Sequence, residues 1–114
     1  MNVGDQKGEV LDGVIRQRAP QVMVELGAYC GYSAVRAARL LPNGAQLISI
    51  EYNALCSAIA TKVVEHAGLS HAVRVLCGNV ETALPRLREI LRQRGADKID
   101  LLFIDLEKVC ASPS

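Results

Sequence analysis

The side chains best suited to chemistry in this chain each close a short apolar run. The first group is Glu25-Leu26-Gly27-Ala28-Tyr29-Cys30-Gly31-Tyr32-Ser33. Gly27 and Gly31 let the backbone turn sharply and approach a ligand with no Cβ in the way. The spacing is not GxGxxG, and an acid ahead of the first glycine repels a pyrophosphate. A carboxylate there suits a positively charged ligand, such as an amino group or a sulfonium; a tight structural turn fits the same residues. Glu51 closes the next run and is placed to accept hydrogen bonds from ribose 2′- and 3′-hydroxyls, as acids do at that point of nucleotide-binding folds. A solvated glutamate at a strand end has the same signature. Gly78-Asn79 follows the third run and either flanks an adenine or simply makes a turn. Asp105 closes the fourth, with Lys108 just beyond. A carboxylate at a strand tip suits Mg²⁺ and a nearby lysine suits a general base, though one acid and one lysine by themselves read first as surface charge.

These positions need elements to hold them, and the apolar periodicity supplies an alternation. Residues 5–18 place Val10, Leu11, Val14 and Ile15 at helical spacing. Gln21–Leu26, Gln46–Glu51, Ala72–Cys77 and Ile99–Asp105 are short apolar runs that read as buried parallel strands. Between them, Tyr32–Leu41 reads as a helix closed by the turn Pro42-Asn43-Gly44. The next helix is capped by Asn53, with Leu55, Ile59 and Val63 inward and Gly68 at its end. Residues 81–94 form another, with Leu84, Leu87, Ile90 and Leu91 inward, Pro85 in its first turn and Gly95 as its stop. Strands joined by such helices are parallel with right-handed crossovers, so the fold class is a doubly wound α/β sheet of about four strands, helices on both faces. That is roughly half of such a sheet. The apolar run at 99–105 then sits at an open edge, which predicts self-association through that strand.

Composition excludes several function classes. The chain has 114 residues, half of them hydrophobic, and a formal net charge of +1. This suits one small domain and argues against nucleic-acid or anionic-membrane binding driven by charge. Arg86, Arg88, Arg92 and Arg94 lie mostly off their helix's apolar stripe and read as a solvated face. Cys30, Cys56, Cys77 and Cys110 form no CxxC pair and no zinc-like cluster, so free thiols in a reducing compartment are expected. No window approaches the roughly 20 apolar residues of a membrane span, and MNVGDQKGE is no signal peptide. A cytoplasmic location is the expectation.

Together these residues resemble the catechol O-methyltransferase family. The stretches Asn2-Val3-Gly4-Asp5-x-Lys7-Gly8, Glu25-Leu-Gly-Ala-Tyr-Cys-Gly-Tyr-Ser-Ala-Val-Arg36 and Ala37-Ala-Arg-Leu-Leu41 look like that family's nucleotide-binding core, and the similarity runs from residue 2 to about 105. The resemblance implies a Rossmann-like fold, S-adenosylmethionine as methyl donor, Mg²⁺, and methylation of a catechol hydroxyl. It places Val3, Glu25, Gly27, Tyr29 and Ser33 at the methionine end of the donor and Glu51 on the ribose. Tyr52, Gly78 and Val80 fall near the adenine, and Asp105 is a Mg²⁺ ligand close to the donor.

The chain departs from the family pattern in places. Gly78-Asn79-Val80-Glu81 stands where the family has Gly-Ala-Ser-Gln, so Val80 and Glu81 lack a hydroxyl and an amide near the adenine. Asp105-Leu106-Glu107-Lys108 stands where the family has Asp-His-Trp-Lys, so the histidine and tryptophan are absent while Lys108 falls at the place of the catalytic lysine. Residues 1–105 thus read as a partial donor-binding methyltransferase domain and 106–114 as a tail unlike the family. The family's second metal-binding acid, the neighbouring asparagine and a catechol-contacting glutamate have no counterpart here, so little or no activity is expected of this chain alone. A non-catalytic donor-binding or decoy form is the alternative. A dinucleotide-dependent oxidoreductase domain is disfavoured by the missing GxGxxG and by Glu25.

Overall fold

A computed structural model of the chain describes residues 2–27 and 31–104, residues 2–7 by their backbone alone. The order is α1 (Asn2–Arg18), β1 (Val22–Leu26), α2 (Tyr32–Ala38), β2 (Gln46–Glu51), α3 (Ala54–His66), β3 (Val73–Cys77), α4 (Val80–Arg94) and β4 (Leu101–Ile104). The strands form one sheet in the order β3-β2-β1-β4, and every pairing is parallel.

This order fixes where the helices lie. The steps from β1 to β2 and from β2 to β3 run in one direction, while the step from β3 to β4 runs back past β1. Right-handed crossovers then put α2 and α3 on one face and α4 on the other. The core divides accordingly. Leu11 and Ile15 of α1, Ala34, Ala37 and Ala38 of α2, and Val64 of α3 pack with Met23, Leu47 and Val73. Ala83, Leu87 and Ile90 of α4 pack with Val22, Val24, Ile48, Ile50 and Leu76 on the opposite face. Alternate residues of β1 and β2 serve the two layers, so both strands read as near-continuous apolar runs, interrupted at Glu25 and Ser49.

Several boundaries differ from the periodicity. β4 begins at Leu101 rather than Ile99, because the carboxylate of Asp100 accepts the backbone N–H groups of Gln21 at 2.9 Å and Val22 at 3.0 Å. Asp100 in turn donates its own N–H to the Val22 carbonyl. It pins the strand rather than joining it. α2 ends at Ala38, since Leu40 and Leu41 bond back to Ala37 and Ala38 in a tighter turn. α4 begins at Val80, which leaves Pro85 in the second turn. Val10 of α1 is exposed.

The inward face of α3 is also not the expected one. Leu55 and Ile59 are exposed, and Ser57, Ala60 and Val64 are buried instead. The reason is close packing on the start of α2. A Cβ at Gly31 would lie 3.0 Å from the Ala60 Cα, so only small residues fit along that line. The larger side chains turn outward.

β4 is an edge of this four-stranded sheet among the described residues. Its Leu101 and Phe103 pack on the face of α1–α3, whereas Leu102 and Ile104 are 52% and 46% exposed. Asp105 and Lys108 lie outside the described residues.

Candidate functional site

The sheet reverses its order at β1, and in open α/β folds ligands bind at the carboxyl ends of strands beside such a reversal. Glu25, Glu51 and Gly78 all come to that end. Parallel register sets Glu25 opposite Ser49 and Glu51 opposite Cys77. Turn bonds lock the tips together: Gly27 N–H donates to the Ile50 carbonyl at 2.8 Å, and Gly78 N–H to the Glu51 carbonyl at 2.9 Å.

Glu25 is 1% exposed. Ser33, in the first turn of α2, donates its hydroxyl to Glu25 Oε2, and Ser49 Oγ donates to Oε1 at 2.8 Å. Donors on both oxygens suit an ionised carboxylate, which is otherwise costly to bury. Ser33 reaches Glu25 because the chain turns through Gly27 at φ 89° and Gly31 at φ 84°, conformations that favour glycine. Ser49 was missed from the sequence. Its one signal is a hydroxyl at an inward position of QLISIE, between residues that serve the core.

Glu51 is buried at the tip of β2, and its Oε2 accepts the Asn53 N–H at 2.9 Å. Asn53 caps α3 as expected, accepting from Cys56 N–H. Tyr52 is exposed beside Glu51, and Val80 is exposed at the start of α4. Gly78 has a structural reason to lack a side chain, since a Cβ there would collide with the Thr82 hydroxyl. Asn79 spends its side-chain oxygen on the Thr82 N–H as the cap of α4.

Of the other expected site residues, Val3 lies in α1, described by backbone alone, and Tyr29, Asp105 and Lys108 lie outside the described residues. Among the described residues no group of three or more His, Cys, Asp or Glu side chains is placed to hold a metal ion, and no helix is long and apolar enough to cross a membrane. The arginines of α4 are exposed, as expected of a solvated face; there Arg92 holds the Glu89 carboxyl below the usual carboxylate range.

Buried acids at adjacent strand tips, linked by glycine turns, make a cradle for a small ligand with hydroxyl and cationic groups. The model of the O-methyltransferase family matches residues 1–111. The chain belongs to this family. Catechol O-methyltransferase of Mus musculus is 46% identical over 105 residues, which cover 92% of this chain and 38% of that protein. Among solved structures, the O-methyltransferase TomG of Streptomyces achromogenes, in complex with SAM, superposes with a TM-score of 0.74 at 29% identity, over 88% of this chain and 43% of that one. The Bacillus cereus O-methyltransferase in complex with SAH gives 0.72 at 27%, over 88% and 44%. The chain thus spans less than half the length of each of these relatives, and what it shares with them is a Rossmann-like parallel α/β sheet.

Proposed function

We propose that this chain is the S-adenosylmethionine-binding part of a catechol O-methyltransferase-like enzyme, with little or no turnover of its own. The observation that carries the reading is the pair of buried carboxylates, Glu25 and Glu51, at neighbouring strand tips. Support comes from the bound ligands named for the two solved relatives and from the identity to a catechol O-methyltransferase.

The donor set fits the ligand. Glu25, with Gly27, Ser33, Val3 and Tyr29, would take the methionine end, where an anion attracts the ammonium and sulfonium groups. Glu51 would accept the ribose hydroxyls. Tyr52 and Val80, both exposed, would offer surface to the adenine, with the Gly78 turn behind them. When bound, S-adenosylmethionine supplies an electrophilic methyl group on a sulfonium. The role of this chain is to orient that group, and orientation is a large part of such catalysis.

The fit to Mg²⁺ is poorer. That ion prefers a near-octahedral oxygen set, and the resemblance assigns it Asp105 alone in this chain. Lys108 would be the base only if the register of the family extends past Asp105. Methyl transfer from labelled S-adenosylmethionine to a catechol, with and without Mg²⁺, tests the proposal. Trace or no transfer is expected, together with donor binding. Robust Mg²⁺-dependent turnover would overturn the inactivity, and preferential binding of NAD would overturn the choice of donor.

A further inference from the structure

Ser49 is fully buried in β2, and its neighbour on the same face, Leu47, serves the apolar core. A hydroxyl in that setting is costly unless it meets a partner. Its partner is Glu25, which faces it across the β1–β2 ladder, so the pairing of the strands itself sets where the hydroxyl sits. Glu25 has the larger demand. A carboxylate almost wholly removed from water stays charged only when donors replace the lost solvent. Ser49 serves one oxygen and Ser33 the other.

We propose that Ser49 is a positioning residue of the donor site. With Ser33 it keeps Glu25 ionised and fixed in orientation, so that the pocket holds a standing negative charge that favours a sulfonium over the uncharged thioether left after methyl transfer. The inference rests on the proposed binding of S-adenosylmethionine. Ser49 need not touch the ligand; it acts through Glu25.

The test is calorimetric titration of the full chain with S-adenosylmethionine and with S-adenosylhomocysteine, on samples shown to be folded by circular dichroism. Ser49→Ala is expected to weaken the sulfonium ligand about tenfold, the scale of one hydrogen bond to a charged group, and to weaken the thioether ligand less. Ser49→Thr, which keeps the hydroxyl, is expected to retain affinity. In a Glu25→Gln background, Ser49→Ala is expected to add almost nothing, because the two act as a unit. If Ser49→Ala does not fold, Ser49→Cys takes its place with the same expectations. Equal losses for both ligands, or additive losses in the double variant, would reduce Ser49 to a packing role and overturn the proposal. So would undiminished binding by Ser49→Ala. Failure of the unmodified chain to bind either ligand would instead overturn the donor assignment, and this inference with it.

Discussion

Replacing Gly31 by alanine tests how closely α2 and α3 approach one another beside the pocket. Gly31 opens α2 with φ 84°, a left-handed conformation. A non-glycine residue there costs about 1–2 kcal/mol from backbone sterics alone. Its added Cβ would also lie 3.0 Å from the Ala60 Cα, 3.1 Å from the Ala60 carbonyl oxygen and 3.3 Å from the Val63 Cβ. None of these atoms is the end of a flexible side chain that can swing aside. Overpacking of that kind typically adds about 1–3 kcal/mol, so the two effects sum to about 2–5 kcal/mol. A domain of this size has only about 5–15 kcal/mol to lose. Gly44 is the control: its φ of 82° is nearly the same, but a Cβ there meets nothing within 4 Å, so Gly44→Ala should show the backbone cost alone. Urea denaturation at 25 °C of the chain and both variants measures the difference. Equal stabilities for Gly31→Ala and Gly44→Ala, within about 0.5 kcal/mol, would refute the close approach of α3 to the turn.

Ala19 follows α1 with φ 46°, outside glycine's usual company, so Ala19→Gly is expected to raise stability by about 1 kcal/mol in the same denaturation assay. Leu102 is half exposed on the edge strand, and we expect the chain to self-associate through residues 99–105; Leu102→Lys should lower light scattering at high protein concentration without changing the circular dichroism spectrum.

Much of the architecture was legible because β1 and β2 bury both faces, and the resulting apolar runs stand apart from the helical stretches between them. Asn53 and Gly95 could be read as helix ends because a side-chain cap and a left-handed stop are local chemistry. What the sequence hid was set by tertiary contact. The apolar look of Leu55 and Ile59 pointed to the wrong face of α3, since the small Ala60 is what lets that helix reach Gly31. Asp100 looked like part of a strand, yet its side chain serves the first amides of β1. At the site, Glu25 and Glu51 were readable as acids at strand tips, whereas Ser49 gains its meaning only from the register that sets it opposite Glu25. Asn79 is readable for the same reason as Asn53, since its side chain caps α4.

Under the proposed function, the acids at the tips of β1 and β2 form the seat of S-adenosylmethionine. Isothermal titration of the chain and of Glu51→Ala with that ligand decides whether they do, with circular dichroism confirming that both samples are folded. Saturable binding by the unmodified chain is predicted, weakened at least about tenfold in Glu51→Ala through loss of charge-assisted hydrogen bonds to the ribose. Equal affinities in two folded samples would contradict it.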